Sequence, residues 1–295
     1  MVALPSAYAA CERDARDHYE NFPVASILLG RSVRPHVAAI YAFARAADDF
    51  ADEGERSNAE RLALLDRWGE RLRRAAAGDE PDGTLQRGEP AHTVEIFAAL
   101  GATIRARELP TRLFEDLLSA FAQDVTVTRY ETWAALLDYC RRSADPVGRL
   151  VLRVSGCRDD RLDAWSDSVC TALQLTNFWQ DLKIDFARGR VYVPLEELRA
   201  HGACERDPGA HSAPRPLRQA LRAAAARTRA LFEAGRPVCD GTRGRLRYEL
   251  RATWLGGMRI LDRLEASDFD PLRERPRLGA ADLLPLAWRL ARWRA

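Results

Sequence analysis

The chain has 295 residues, 47% of them hydrophobic, enough to bury a large core in one helical domain or two small ones. Its 45 basic and 43 acidic side chains nearly cancel, and a net charge of +2 excludes the strong field that gathers nucleic acid. No apolar run approaches the ~20 residues needed to span a bilayer, and Glu12, Arg13 and Asp14 interrupt the first apolar stretch early.

Apolar residues recur with helical spacing along almost every long segment, and no run alternates as a strand would. The spacing predicts helices over about 5–20, 33–53, 57–77, 92–106, 110–127, 131–143, 146–156, 160–187, 215–235, 242–266 and 279–293. Gly/Pro/Asp-rich stretches at 78–90 and 201–216 punctuate them without separating segments of different character, so one all-α domain is the simplest expectation. There is no phosphate-binding glycine loop and no dinucleotide turn. Six scattered cysteines without a CxxC pair read as small buried residues in a reducing compartment, and the protein is expected to be cytoplasmic. Basic charge is almost all arginine, with Lys183 the only lysine, a bias that codon usage explains as readily as function.

Two stretches carry chemistry. In the first, IYAFARAADDFADEG, Tyr41, Arg45, Asp48 and Asp52 fall within an arc of about 60° on a helix, whereas Asp49 points about 100° away from Asp48. In the second, QLTNFWQDLKIDFARGRVYVP, Gln174, Asn177, Asp181 and Asp185 form another narrow face. Gly54 and Gly189 are expected to stop these helices, which places both aspartate pairs in the last turns. There the helix dipole disfavours an anion by ~0.3–1 kcal/mol each, and i,i+4 like charges add a little more. A cation should therefore occupy each site. Magnesium suits hard oxygen donors completed by phosphate oxygens and water, whereas zinc is disfavoured because neither stripe includes histidine or cysteine. The plainer reading is a solvated acidic face on which Arg45 pairs with Asp48 or Asp49.

Arg45, Lys183, Arg188 and Arg190 are available to neutralise a leaving diphosphate. Phe22, Phe43, Phe121, Phe178, Trp179 and Tyr248 are candidates for an apolar wall around a carbocation, although an aromatic on a helix face is usually simple core. The segment 279–293 combines Leu283, Leu284, Leu286, Trp288, Leu290 and Trp293 with Arg289, Arg292 and Arg294. It reads either as a helix docked on the domain or as a transient membrane-surface contact.

These residues together resemble the squalene/phytoene synthase family along most of the chain. The likeness rests on the tyrosine-arginine-DxxxD run from Tyr41 to Asp52 and on QxxNxxxDxxxD from Gln174 to Asp185, followed by GRxYxP from Gly189 to Pro194. It implies the isoprenoid-synthase helical bundle with a central cavity and a prenyl diphosphate substrate. It also implies several magnesium ions on Asp48, Asp52, Asn177, Asp181 and Asp185. Those four aspartates and Arg45 are the implied catalytic groups. His18, Phe22, Tyr41, Arg45, Gln174, Asn177, Arg190 and Tyr248 are the candidate substrate-binding residues.

Two departures point to a branch. Condensing members carry NxxRD where this chain has Asn177-Phe-Trp-Gln180-Asp181. They also carry a tyrosine in a YCxxVAGxVG helix where Arg141 and Arg142 stand here. With the NFPVAS segment (Asn21 to Ser26), these features are similar to the hydroxysqualene synthase branch of bacterial hopanoid biosynthesis. That implies presqualene diphosphate supplied by an upstream synthase, water capture of the cation, and no NADPH. A full squalene or phytoene synthase remains the alternative within the family. A non-catalytic lipid-binding or assembly scaffold is the alternative outside it, although a scaffold has no reason to keep both acidic stripes.

Overall fold

The computed structural model describes residues 2–17 and 29–293. In chain order the α-helices are α1 (Leu4–Asp17), α2 (Arg34–Asp52), α3 (Asn58–Ala77), α4 (Thr93–Arg107), α5 (Thr111–Asp124), α6 (Trp133–Ser143) and α7 (Asp145–Val154). They continue with α8 (Asp160–Gln180), α9 (Leu182–Ala187), α10 (Leu195–Ala200), α11 (Arg215–Gly235), α12 (Val238–Gly241), α13 (Gly244–Ala266) and α14 (Ala280–Ala291). The chain forms two compact units, Met1–Thr126 with Pro146–Asp159, and Val127–Asp145 with Asp160–Ala295.

Helices α1 to α5, with nearly all of α7, build the first unit. Pro35 sits in the first turn of α2, where its missing N–H costs nothing. A capping box starts α3: Glu60 N–H donates to Ser57 Oγ, and Ser57 N–H donates to the Glu60 carboxylate at 2.8 Å. The core is aromatic. Phe43, Phe50, Trp68, Phe97 and Phe114 are each 2% exposed or less, and Trp68 Nε1 donates to the Phe43 carbonyl at 3.1 Å. Burying a side chain of that size contributes ~1.5–3 kcal/mol, so Phe43 and Phe50 fix the roll of α2. Tyr41, Arg45, Asp48, Asp49 and Asp52 consequently lie on its half-buried face.

In the second unit α8 packs along α11. Trp179 is fully buried, and its indole N–H donates to Thr228 Oγ1 at 2.9 Å. Gly235 permits the close approach, because a Cβ there would lie 2.6 Å from the Trp165 carbonyl oxygen. Trp254 of α13 donates to the Phe232 carbonyl of α11 at 2.8 Å. The segment after α9 runs beside residues 128–131: Val191 N–H donates to Thr128 O at 3.0 Å, and Leu195 N–H to Tyr130 O at 2.9 Å. This gives one isolated parallel bridge between Arg129 and Val191.

Some expectations need correction. The helix expected over 160–187 is interrupted at Asp181, whose φ of −99° and ψ of 11° leave the α region. Asp181 N–H still bonds Asn177 O and Asp185 N–H still bonds Asp181 O, so the interruption is local. The short α10 and α12 were not anticipated, being too brief to show a period. Cys204 is exposed rather than buried, in a turn where its N–H donates to Asp207, and Cys157 and Cys170 are only half-buried. Cys11 and Cys239 are buried as expected, and burial pushes both thiols up to about 12.

The carboxyl-terminal region is anchored by Asp282, 1% exposed, which accepts from Gly279 N–H and from the Arg259 and Arg263 guanidiniums. Of the two readings of this segment, Trp293 follows the docked one. Its indole N–H donates to Asp240 at 3.0 Å, and the Arg236 and Arg251 guanidiniums lie 4.8 and 5.1 Å from its ring. A guanidinium over an indole face is attracted by the ring quadrupole, so this tryptophan is a tether.

Candidate active site

On α2 the expected stripe exists, and the helix ends at Asp52 before Gly54, which takes a φ of +73°. Arg45 offsets part of the local charge: its guanidinium is 2.7 Å from Asp49 Oδ1 and 3.6 Å from Asp48 Oδ2. Asp49, set aside from the stripe on angular grounds, thus holds the closer contact, because a long arginine reaches i+4 as readily as i+3. Burial alone would lower the Arg45 pKa, but Asp49, Asp48 and Tyr41 raise it above the ordinary value, so the guanidinium stays charged. Burial pushes the Tyr41 hydroxyl up, against the opposing effect of Arg45.

The second stripe straddles the α8–α9 break. Asn177 is exposed, and Gln174, Asp181 and Asp185 are half-buried. Gly189, with φ +79°, ends the run as expected, and Arg190 N–H donates to Asp185 O at 2.8 Å. The decisive contact comes from far along the chain. Arg275 grips Asp181 side-on: Nε donates to one carboxylate oxygen, and Nη2 to the other at 3.0 Å. Beside it Gln180 Nε2 donates to Pro276 O at 2.7 Å, and Lys183 Nζ to Leu272 O at 3.1 Å. Lys183, expected to be available for a leaving group, is engaged with this backbone instead.

Other candidates separate clearly. Phe43 and Trp179 belong to the two hydrophobic cores, and Phe121 is half-buried on α5. Tyr248, on α13, is 49% exposed. Phe178 stacks on Tyr192 with ring centroids 3.8 Å apart and planes 6° from parallel. Tyr130 and Tyr139 adjoin Tyr192, so the GRxYxP tyrosine joins an aromatic group not assembled from spacing alone. His18, Phe22 and the NFPVAS segment lie outside the described residues.

Arg141 and Arg142 both contact Asp138, at 2.8 and 3.2 Å, because i+3 and i+4 on α6 share one face. The hydrogen bond from Arg141, with the charge of both arginines, holds the Asp138 carboxyl below its usual range. Any repulsion of a substrate cation by these arginines is therefore weak: Arg141 is 53% exposed and shares a counter-ion with Arg142. The missing tyrosine remains.

Do these residues suit magnesium? Among the described residues no three His, Cys, Asp or Glu side chains converge into a self-sufficient metal cage. Magnesium does not require one, since it commonly takes one or two carboxylates and fills its octahedron with phosphate oxygens and water. The donors on both stripes are all oxygen, and Asp181, with its side chain only 15% exposed, already has a cation against both oxygens. The donor set fits a hard cation whose coordination a diphosphate would complete.

The likeness to known proteins defines an all-helical, prenyl-diphosphate-processing enzyme. A sequence model of squalene/phytoene synthase matches residues 15–282, and the chain belongs to that family. It is 38% identical to the hydroxysqualene synthase of Zymomonas mobilis over 91% of this chain and 86% of that protein. It is 37% identical to the hydroxysqualene synthase of Sinorhizobium fredii over 92% and 87%. The crystal structure of squalene synthase HpnC from Alicyclobacillus acidocaldarius is similar at a TM-score of 0.81 and 39% identity, covering 90% of this chain and 95% of that one. A dehydrosqualene synthase structure matches at a TM-score of 0.85 with 20% identity over 98% and 97%, a likeness of fold alone. The fold is the all-α isoprenoid-synthase fold.

Proposed function

We propose that the enzyme converts presqualene diphosphate to hydroxysqualene and diphosphate, with magnesium on Asp48, Asp52, Asn177, Asp181 and Asp185 and without NADPH. The single observation that carries this reading is the likeness to hydroxysqualene synthases along nine-tenths of the chain. Bound magnesium would supply the positive charge that neutralises the departing diphosphate. Arg45, kept charged by its aspartate neighbours, adds to that charge. Tyr41, kept protonated by burial, donates a hydrogen bond to a phosphate oxygen. Gln174, Arg190 and Tyr248 complete the proposed substrate contacts. The carbon–oxygen bond to diphosphate breaks, the cyclopropylcarbinyl cation rearranges with cleavage of a ring carbon–carbon bond, and water captures the rearranged cation, forming a new carbon–oxygen bond and losing its proton to solvent. No hydride is consumed. The substrate would come from a separate enzyme that condenses two farnesyl units.

Two incubations with magnesium test the reading, one given farnesyl diphosphate alone and one presqualene diphosphate, with products identified by mass spectrometry. Hydroxysqualene only from the second is the expected result. Presqualene diphosphate or squalene made from farnesyl diphosphate alone would promote the full condensing synthase instead.

Such a product is a lipid, and α14 offers a means of delivering it. Leu284 is 82% exposed, Leu283 66% and Trp288 59%, with Arg292 stacked 3.9 Å over Trp288 and Arg289 nearby. No helix among the described residues is long and apolar enough to cross a membrane. We propose that this outer face touches an anionic lipid surface while the opposite face stays docked. Co-sedimentation with anionic liposomes should fall several-fold in a Leu283→Ser, Leu284→Ser, Trp288→Ser variant, and unchanged binding would end the idea.

A further inference from the structure

The contacts of Asp181 carry more than its role in the motif. Residues 271–279, between α13 and α14, form a strap pinned at both ends by buried carboxylates. Asp270, 3% exposed, accepts from Ala213 N–H, Ser212 and Arg218 at one end. Asp282 accepts from Gly279 N–H, Arg259 and Arg263 at the other. Leu272 is 1% exposed, which seats the strap's first turn in the unit. Between these anchors Arg275 reaches Asp181, flanked by Gln180 on Pro276 O and Lys183 on Leu272 O. Three nearly consecutive residues of the second motif thus grip one short stretch of backbone and its arginine.

The geometry of the grip matters. A guanidinium lying side-on satisfies both carboxylate oxygens at once, and such charge-assisted pairs are about twice as strong as neutral hydrogen bonds. The same two oxygens are the donors that the proposed metal would use. A fork and a metal ion cannot both hold them fully.

We propose that Arg275 is the resident counter-cation of Asp181 in the metal-free enzyme, competing directly with magnesium, so that the strap is released from the second motif when metal loads. The idea rests on the reading of Asp181 as a metal ligand. It explains what holds the Asp181 carboxylate in one orientation at a helix interruption before any metal arrives. It also makes the second motif a gated site. If the closed pair holds about nine molecules in ten, apparent metal affinity falls about tenfold relative to an open site.

The test measures Mn2+ binding by electron paramagnetic resonance, without substrate, for wild type, Arg275→Gln, Arg275→Lys and Asp181→Asn. Arg275→Gln should bind the Asp181-dependent Mn2+ about tenfold more tightly than wild type, with Arg275→Lys between them. Equal or weaker binding by Arg275→Gln overturns the proposal, since the arginine would then be neutral toward the metal or support it. Asp181→Asn separates the two ideas. If it binds Mn2+ like wild type, the metal assignment and the gate fail together. If it loses binding while Arg275→Gln gains none, only the gate fails. Hydrogen exchange of unmutated enzyme guards against a folding artefact. Saturating Mn2+ should speed exchange in peptides covering 272–279 several-fold, and unchanged or slower exchange there counts against release.

Discussion

The two aspartate motifs balance their charge in different ways. On α2, Arg45 comes from within the same helix, three and four residues from Asp48 and Asp49, so this pairing follows from helical spacing. At the α8–α9 junction the partner is Arg275, 94 residues away, on a strap held only by tertiary contacts. The first motif is therefore set by helical periodicity and the aromatic core behind it. The second depends on the folded carboxyl-terminal region. Two motifs that look alike as sequence have different physical supports, and variants should expose the difference.

The largest effects should come from removing the motif carboxylates. Asp48→Ala and Asp181→Ala should each lower kcat/KM by about a thousandfold or more while leaving far-UV circular dichroism unchanged, since neither side chain belongs to a core. The two should part in hydrogen exchange. Asp181→Ala should loosen residues 272–279, whereas Asp48→Ala should leave Arg45 on Asp49 and its surroundings protected.

Next come variants that disturb the scaffold under each motif. Gly101→Ala would place a methyl 2.7 Å from the Ala75 carbonyl oxygen between α3 and α4. Gly235→Ala would place one 2.6 Å from the Trp165 carbonyl oxygen between α8 and α11. Each should destabilise the protein by ~1–3 kcal/mol, read from urea midpoints.

Acid should loosen the carboxyl-terminal anchor. Asp282 is held well below the usual carboxylate range, first by the Gly279 N–H and then by Arg259 and Arg263. A depressed folded pKa means that its stabilisation is complete above the unfolded value of about 3.9 and is lost as pH falls below it. Limited proteolysis at descending pH should therefore release α14 below about pH 4, and Asp282→Asn should release it already at neutral pH. Retention of α14 by Asp282→Asn at pH 7 would contradict this anchor.

The smallest effect is expected at Asp49. An i,i+4 pair of this exposure contributes roughly 0.3–0.5 kcal/mol, so Asp49→Asn should raise KM about twofold with kcat nearly unchanged. A loss comparable with that of Asp48→Ala would place Asp49 among the metal ligands and erase its distinction from the stripe.

Much of this was legible because helices announce themselves. The periods that predicted helices over 33–53, 57–77 and 215–235 reappear as α2, α3 and α11, and Gly54 and Gly189 stop their helices with positive φ as anticipated. The interruption at Asp181 had no proline or glycine to signal it. Arg275 sits in RERPR, a stretch without period, and one arginine among so many gives no hint of its partner. Trp293 looked like one more apolar group at the end of an amphipathic helix. Only tertiary structure places it on Asp240, between two arginines. Local order is written in local spacing, while long-range ion pairs depend on where the chain returns.

The central claim is that water, not hydride, ends the reaction. Presqualene diphosphate incubated with the enzyme and magnesium in 18O-labelled water, with and without NADPH, tests it most directly. The account predicts hydroxysqualene carrying one 18O atom, in equal yield under both conditions. Squalene formed in an NADPH-dependent reaction, or an alcohol lacking the label, would contradict it.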